Sequence, residues 1–142
     1  MAVARARRTG TRSDWNARVR KALERADIMA LSTIGADGSW TTPVQYSYSP
    51  TLELTFVSMM DTKHVSNILA DPRVSVAIYQ PQRLPGGASL GLQIKGRATV
   101  TRKRAGDEEG WHRFKIVPDE VWCFDSRVSR KRKRIDRAKL KL

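Results

Sequence analysis

The chain has 142 residues, a common length for one domain and enough to bury a hydrophobic core. Hydrophobic residues make up 40% of it, and no stretch approaches the roughly 18 consecutive apolar residues of a membrane-spanning helix, which argues against a membrane protein. The single cysteine, Cys123, excludes an internal disulfide, and no Cys/His cluster offers a zinc site, so we expect a cytoplasmic protein without a metal centre.

The formal net charge of +13 is concentrated at the two ends of the chain. Residues 1–12 contain four arginines and no acid, and residues 127–142 contain nine lysines or arginines against Asp136 alone. Residues 13–126 contain 14 basic and 13 acidic side chains, so this stretch is nearly neutral. We therefore predict a basic disordered leader (1–12), one folded domain (13–126) and a basic C-terminal tail (127–142) that can form a helix when docked.

The first half of the domain predicts one helix followed by three antiparallel strands. Apolar residues recur at helical spacing from Ser13, a candidate N-cap, to about Ala26. Strand-type residues then fill three segments that turns separate, namely Ile28 to Ile34, Trp40 to Tyr48 and Leu52 to Met59. Such short connections are typical of neighbouring antiparallel strands.

The second half predicts a short helix and the strands that close a barrel. The helix runs from Asp61 to Ala70. The strand segments are Arg73 to Gln80, Ser89 to Thr101, Trp111 to Ile116 and Val121 to Phe124, with loops at Pro81 to Gly87 and Arg102 to Gly110. Gly91 and Gly96 in the long strand indicate bulges or bends, which curling strands need. The last two segments supply the closing strand, which Pro118 is expected to interrupt. The predicted fold is mainly β, a six-stranded antiparallel barrel with short helices.

Polar groups collect where the third strand meets the second helix, between Phe56 and Ile68. Backbone N–H groups at a helix start, the Thr62 hydroxyl and the Lys63 ammonium together suit a phosphate monoester. The plainer alternative is that Asp61 caps the helix and that Lys63 and His64 are solvated first-turn residues. Residue types alone favour this alternative, because many helices begin in this way.

Four stretches, taken in order, carry a resemblance to a known family. They are Trp-Thr-Thr-Pro-Val-Gln-Tyr from Trp40, Asp-Thr-Lys-His-Val-Ser-Asn-Ile from Asp61, Asp-Pro-Arg-Val-Ser-Val-Ala-Ile from Asp71 and Gly-Leu-Gln-Ile-Lys-Gly-Arg-Ala-Thr-Val from Gly91. Their order and spacing resemble the pyridoxamine 5'-phosphate oxidase-like family of FMN-binding split β-barrels over residues 13–126. The resemblance implies a homodimer of split barrels with two flavin sites at the subunit interface. It also implies an FMN-dependent oxidoreductase that acts on an unidentified small molecule.

The resemblance further implies which residues touch the cofactor. Thr62, Lys63 and His64 would hold the FMN phosphate. The residues that would line the isoalloxazine ring and the ribityl chain are Thr41, Thr42, Pro43, Val44, Val57 and Ser58. Gln93 would approach from the barrel wall or the partner subunit, and Trp122 would lie near the partner's flavin. We nominate no catalytic side chain, because the flavin itself carries the hydride.

Residue types support part of this set independently. Pro43 cannot donate to a sheet ladder, so it marks an edge or a bulge that a ligand can approach. Thr41 and Thr42 are explained equally by β-propensity, and Gln93 is explained equally by a surface position.

Two departures from the family pattern leave other functions open. The arginine-rich phosphate clamp of the vitamin B6 oxidases is absent around Trp40 to Tyr46, and the connection from Arg102 to Trp111 is too short for a helical crossover. Relatives bind the deazaflavin F420 or haem in similar barrels. A different class is a non-enzymatic module that binds nucleic acid or an acidic partner through the basic tails, which the run Arg130 to Arg134 supports. The neutral body and the lack of a clustered aromatic platform count against it.

Overall fold

The computed structural model describes residues 14–80, 85–103 and 110–142 of the chain. Its elements in chain order are α1 (Trp15–Arg25), β1 (Ile28–Gly35), β2 (Gly38–Gln45), β3 (Ser47–Tyr48), β4 (Leu54–Met59), α2 (Lys63–Ala70), β5 (Arg73–Tyr79), a 3₁₀ turn (Pro85–Gly87), β6 (Leu90–Arg102), β7 (Trp111–Asp125), β8 (Lys133–Arg134) and a second 3₁₀ turn (Arg137–Lys139). In these ranges no helix is both long and apolar enough to cross a bilayer.

Parts of the sequence-based prediction lie outside the described residues. These parts are the leader, Ser13 and portions of the loops predicted at 81–87 and 102–110. The side chain that caps α1 in the described chain belongs to Asp14, which accepts a hydrogen bond from the Ala17 N–H at 3.1 Å.

The strands form one antiparallel sheet in the order β2-β1-β5-β6-β7-β4-β3, with β8 beside the C-terminal half of β7. Tyr46 alone separates β2 from β3, although these strands stand at opposite ends of that order. The sheet must therefore curl until its two edges reach the same point of the chain. The Tyr46 hydroxyl lies 2.7 Å from the carbonyl oxygens of Leu23 and Ala26, which fixes this corner against the end of α1.

The predicted six-stranded antiparallel barrel with short helices is confirmed. Six strands are at least as long as the six-residue β4, and two more, β3 and β8, have two residues each. Alternate side chains of the six longer strands point inward, and the rings of Phe56 on β4 and Phe114 on β7 stack in the core at 5.1 Å. The helices bury Val19, Ala22 and Leu23 from α1 and Val65 and Ile68 from α2 in the same core.

The last two predicted strand segments are one continuous strand, β7, and the predicted interruption at Pro118 is wrong. Pro118 lies opposite Gly96 of β6, where the register between the two strands shifts by one residue. The bulge accommodates the proline, which has no N–H to donate to the neighbouring strand, and the strand continues past it. A Cβ on Gly96 would stand 2.5 Å from the Val117 carbonyl oxygen, so the strands approach here only because this residue is glycine.

The C-terminal segment, residues 127–142, is docked on the barrel. Its chain starts with a turn at residues 126–128, forms no α-helix and contains the Arg137–Lys139 3₁₀ turn. Between these turns, β8 pairs with Trp122 and Cys123 of β7. Ile135 and Leu140 are buried in the same core as the strands, and the Leu142 N–H donates to the Pro50 carbonyl oxygen at 2.9 Å. The segment predicted as a tail therefore contributes apolar side chains to the folded core, and it carries its positive charges outward.

Candidate functional site

The first turn of α2 begins at Thr62, and Asp61 is an exposed residue before it. The Thr62 hydroxyl does not cap the helix, because it donates to the Met59 carbonyl oxygen at 2.8 Å. The backbone N–H groups of Lys63, His64 and Val65 have no acceptor within the helix, as in the first turn of any α-helix. This end of α2 therefore has a partial positive charge that suits an anion.

Lys63 is held between two residues of the β1–β2 hairpin. Its ammonium forms an ion pair with Asp37 at 2.9 Å and lies 4.6 Å from the centre of the Trp40 ring. The hydrogen bond from Lys63 lowers the pKa of the Asp37 carboxyl below its ordinary value. Both groups are largely exposed, so the pair positions the lysine and contributes little to stability.

A cleft of about 880 Å³ opens between this hairpin and α2, and we call it the helix-start cleft. The described residues that line it are Ile34, Gly35, Ala36, Asp37, Met60, Asp61, Thr62, Lys63, Ser66, Asn67, Ala70 and Asp71. Among them Lys63 is the one cation and there are three carboxylates. Asp71 is paired with Arg73 at 2.7 Å, which lowers the pKa of its carboxyl to about 2. An anion entering the cleft must therefore compete with Asp37 for Lys63.

Asn67 attaches α2 to β1 at the base of this cleft. Its side-chain amide donates to the Thr33 hydroxyl at 3.0 Å, and both residues are buried. A Cβ on Gly35 would stand 2.6 Å from the Asn67 side-chain oxygen, so a glycine is needed for this close approach. The interpretation of the sequence missed Asp37, Trp40 and Asn67, because their partners lie far away along the chain.

His64 and Ser58 point into the barrel and away from the helix-start cleft. Both are buried, and His64 Nε2 lies 2.8 Å from Ser58 Oγ. The Phe56 ring lies beside the imidazole at 6.4 Å between ring centres. Burial lowers the pKa of His64, since the charged imidazolium would lose its hydration. At the helix start, therefore, His64 offers its backbone N–H, while its side chain is part of the interior.

A second cleft, of about 420 Å³, lies on the outer face of the sheet. We call it the sheet-face cleft, and two neighbouring rows of cross-strand pairs form it. One row runs Pro43, Ala30, Ala77, Gln93, Trp122, and the other runs Thr41, Ser32, Ser75, Lys95, Glu120. Small side chains form the middle of this surface and longer ones form its rim. The structure thus brings Thr41, Gln93 and Trp122 together, as three of the predicted site residues.

Hydrogen bonds fix both ends of the sheet-face cleft. The hydroxyls of Ser32 and Thr41 lie 2.7 Å apart, and the Trp122 indole N–H donates to the Glu120 carboxylate at 3.1 Å. Ser32 lines this cleft, and Ile34, two residues further along β1, lines the helix-start cleft. Successive outward residues of a strand are about 7 Å apart, so the two clefts are neighbours along the β1–β2 hairpin.

The other predicted residues lie elsewhere. Thr42 and Val44 stand opposite the buried Leu31 and Met29, on the inward face of β2. Pro43 is exposed on the outer face beside the sheet-face cleft. Val57 lies on the outer face of β4, in a third cleft of about 500 Å³ lined by Asp27, Gln45, Tyr46, Ser47, Thr55, Phe56, Trp111 and Arg113.

The curled antiparallel sheet with a helix inserted after β4 and a cleft at the start of that helix defines a split-barrel protein. A sequence profile described as pyridoxamine 5'-phosphate oxidase matches residues 16–137, which is most of the chain. The protein belongs to this family, and the resemblance seen in the sequence is confirmed. No curated protein matches the sequence.

Solved structures show the same fold at low sequence identity. General Stress Protein 26 from Bacillus anthracis has a TM-score of 0.67 and 14% identity, over 85% of this chain and 98% of that chain. A FAD-binding protein from Mesorhizobium loti has a TM-score of 0.63 and 20% identity, over 75% of this chain and 89% of that chain. An F420 reductase has a TM-score of 0.60 and 16% identity, over 72% of this chain and 94% of that chain.

The buried His64 predicts a pH-dependent stability. Because burial lowers the pKa of His64 below its ordinary value of 6.5, the unfolded chain binds a proton first as the pH falls. The free energy of unfolding should therefore decrease below pH 6.5, by at most about 1.4 kcal/mol per pH unit from this residue. His64→Gln should remove that component in urea titrations at a series of pH values, and His112→Gln should retain it. Identical pH profiles for wild type and His64→Gln would show that His64 is not the group responsible.

Proposed function

We propose that this protein is an FMN-dependent oxidoreductase that acts on a small molecule. The observation that carries the proposal is the pair of adjoining clefts, one with a helix N-terminus and a lysine, the other flat and lined by small side chains. FMN has a phosphate at one end and a planar ring at the other, and when bound it supplies hydride transfer. The side chains of the protein would then hold and orient the FMN and shield it from water.

The helix-start cleft suits the phosphate. The N-terminus of α2 offers backbone N–H groups, and the Lys63 ammonium, on the first residue of α2, adds a full positive charge. The Asp37 carboxylate forms an ion pair with that ammonium at 2.9 Å, as a phosphate oxygen would. Binding of the phosphate then replaces one anion on Lys63 by another.

The sheet-face cleft suits the ring. Its floor of Ala30, Ser32, Ser75 and Ala77 is low enough for a planar group to lie against the strands. Gln93 and Trp122 stand opposite each other at the rim, where an amide can hydrogen-bond to ring heteroatoms and an indole can cover a ring edge. These roles for Gln93 and Trp122 follow the family pattern.

We also propose that the working form is a homodimer, as the family resemblance implies. β2 is an edge strand whose residues are mostly exposed, and an unprotected edge of eight residues is prone to pair with another chain. On the same outer face Ile28 and Tyr79 are 50% and 59% exposed. A second copy that covers this face would bury them and would enclose the ring site between the subunits.

A cytoplasmic location fits the single thiol. Burial raises the pKa of Cys123 to about 12, so the thiol remains protonated and unreactive.

The structural neighbours include an F420 reductase and a FAD-binding protein, and both of these cofactors also carry a flavin-type ring and phosphate. Titrating the protein with FMN, F420 and FAD in turn, and comparing the dissociation constants, shows which of the three it binds most tightly.

The visible absorption spectrum tests the proposed function. Protein purified from cells, or mixed with FMN and passed over a desalting column, should show flavin bands and quenched flavin fluorescence, because the ring lies in a protein site. A protein that stays colourless after mixing with FMN, and that retains F420 instead, would contradict FMN as the cofactor. A protein that retains none of these groups would contradict the oxidoreductase function itself.

Two substitutions around Lys63 locate the phosphate. Lys63→Ala should weaken FMN binding about tenfold, because a charge-assisted hydrogen bond is lost. Asp37→Asn should strengthen it by about threefold, because the competing carboxylate is removed. The measurement is the dissociation constant from fluorescence quenching, with the exposed Lys139→Ala as the matched control, expected to equal wild type. Equal constants for wild type and Lys63→Ala would place the phosphate elsewhere.

A further inference from the structure

A charged surface lies on the docked C-terminal segment, next to Trp122 at the rim of the sheet-face cleft. Five consecutive cations, Arg130 to Arg134, are all exposed, and we call them the basic strip. Three are arginines and two are lysines. Residues 13–126 taken together are nearly neutral, so these five consecutive cations supply a large part of the net positive charge.

The basic strip is held in place at both ends. Before it, the N–H groups of Val128 and Ser129 donate to the carbonyl oxygen of the buried Asp125, and the Lys131 N–H donates to the Ser129 hydroxyl at 3.0 Å. After it, the Ile135 N–H donates to the Val121 carbonyl oxygen at 2.9 Å. The last two residues of the strip form β8 on the edge of β7. The positive charges are therefore fixed relative to the barrel before any partner binds, which lowers the entropy lost on binding.

The cations of the strip form no ion pairs within the described chain. By contrast, Arg127 just before them is paired with Asp125 at 2.9 Å. The nearest acids, Asp119, Glu120 and Asp136, share a small cleft with Arg134. Grouped like charges repel one another and destabilise the folded state, and an external polyanion would relieve that repulsion.

The apolar residues of the segment bear on which polyanion fits. Ile135 and Leu140 point into the core, and Val128 is the one large apolar side chain of residues 127–142 that is exposed, so little apolar surface is available to insert into a lipid bilayer. The outward side of the strip presents guanidinium and ammonium groups, which pair with phosphate oxygens without reading a base sequence. We infer that the basic strip binds the phosphodiester backbone of a nucleic acid, without sequence specificity. The Arg134 end of this surface adjoins the sheet-face cleft, because the Arg134 guanidinium lies 6.0 Å from the centre of the Trp122 ring.

Fluorescence anisotropy with a labelled DNA duplex of about 20 base pairs tests this inference across a series of salt concentrations. The full-length protein should bind with an affinity that falls steeply with salt. The triple variant Lys131→Gln, Arg132→Gln, Lys133→Gln should bind at least tenfold more weakly, and its salt slope should be smaller by about 3. The matched control is Arg25→Gln, Arg97→Gln, Arg102→Gln, which removes three exposed cations elsewhere and should keep most of the affinity.

Three results would overturn the inference. The first is a full-length protein that does not bind the duplex at low salt. The second is a strip variant that is folded, as shown by its circular dichroism, but retains the affinity and the salt slope of wild type. The third is stronger binding to vesicles of phosphatidylcholine and phosphatidylserine than to the duplex, because a lipid surface would then be the better partner. Loss or retention of FMN binding does not affect any of these outcomes.

Discussion

The pairing of β6 with β7 is the constraint on which the rest of the structure depends. These two long strands stay paired from Leu90 opposite Asp125 to Arg102 opposite Arg113, across the bulge at Gly96 and Pro118. Their register points Phe114 and Ile116 into the core and Gln93 and Trp122 onto the outer face. A slip by one residue would exchange the two faces and remove both core and site. On its other side, β7 pairs with β4 along its N-terminal half and with β8 near its C-terminal end. The first pairing continues the sheet around the barrel, and the second docks the C-terminal segment.

The helix-start cleft and the basic strip differ in how their positive charges are paired. In the helix-start cleft a single lysine faces three carboxylates and is paired with one of them at 2.9 Å. The proposed phosphate would therefore have to displace Asp37 from Lys63. Binding there depends on the helix N-terminus and on the sheet-face cleft as much as on charge. On the basic strip the cations lack such partners, and their attraction for a polyanion is long-range and sensitive to salt. Much of the large net charge therefore lies on the strip, while the proposed cofactor site lies in the nearly neutral part of the protein.

The strand alternation and the short turns were enough to predict the barrel from the sequence, because period-two patterns depend on neighbouring residues alone. The position of Thr62 and Lys63 at the start of α2 could be predicted for the same reason, because the strand-to-helix junction is visible in the sequence. Asp37 could not be assigned, because its contact with Lys63 joins positions 26 residues apart. The burial of the His64 and Ser58 side chains could not be predicted either, because it depends on how α2 packs against β4. The docking of residues 127–142 rests on Ile135 and Leu140, two apolar residues in a basic segment whose pattern resembles a solvated tail.

The proposed flavin site runs along the β1–β2 hairpin, between the start of α2 and the outer sheet face. Hydrogen–deuterium exchange with and without FMN locates the bound cofactor, because bound ligand slows exchange of the amides it covers. We expect slower exchange in peptides from β1, β2 and residues 60–67, and in the β6 peptide that contains Gln93. Protection confined to the third cleft or to residues 127–142, or no protection at saturating FMN, would show that FMN does not bind at this site.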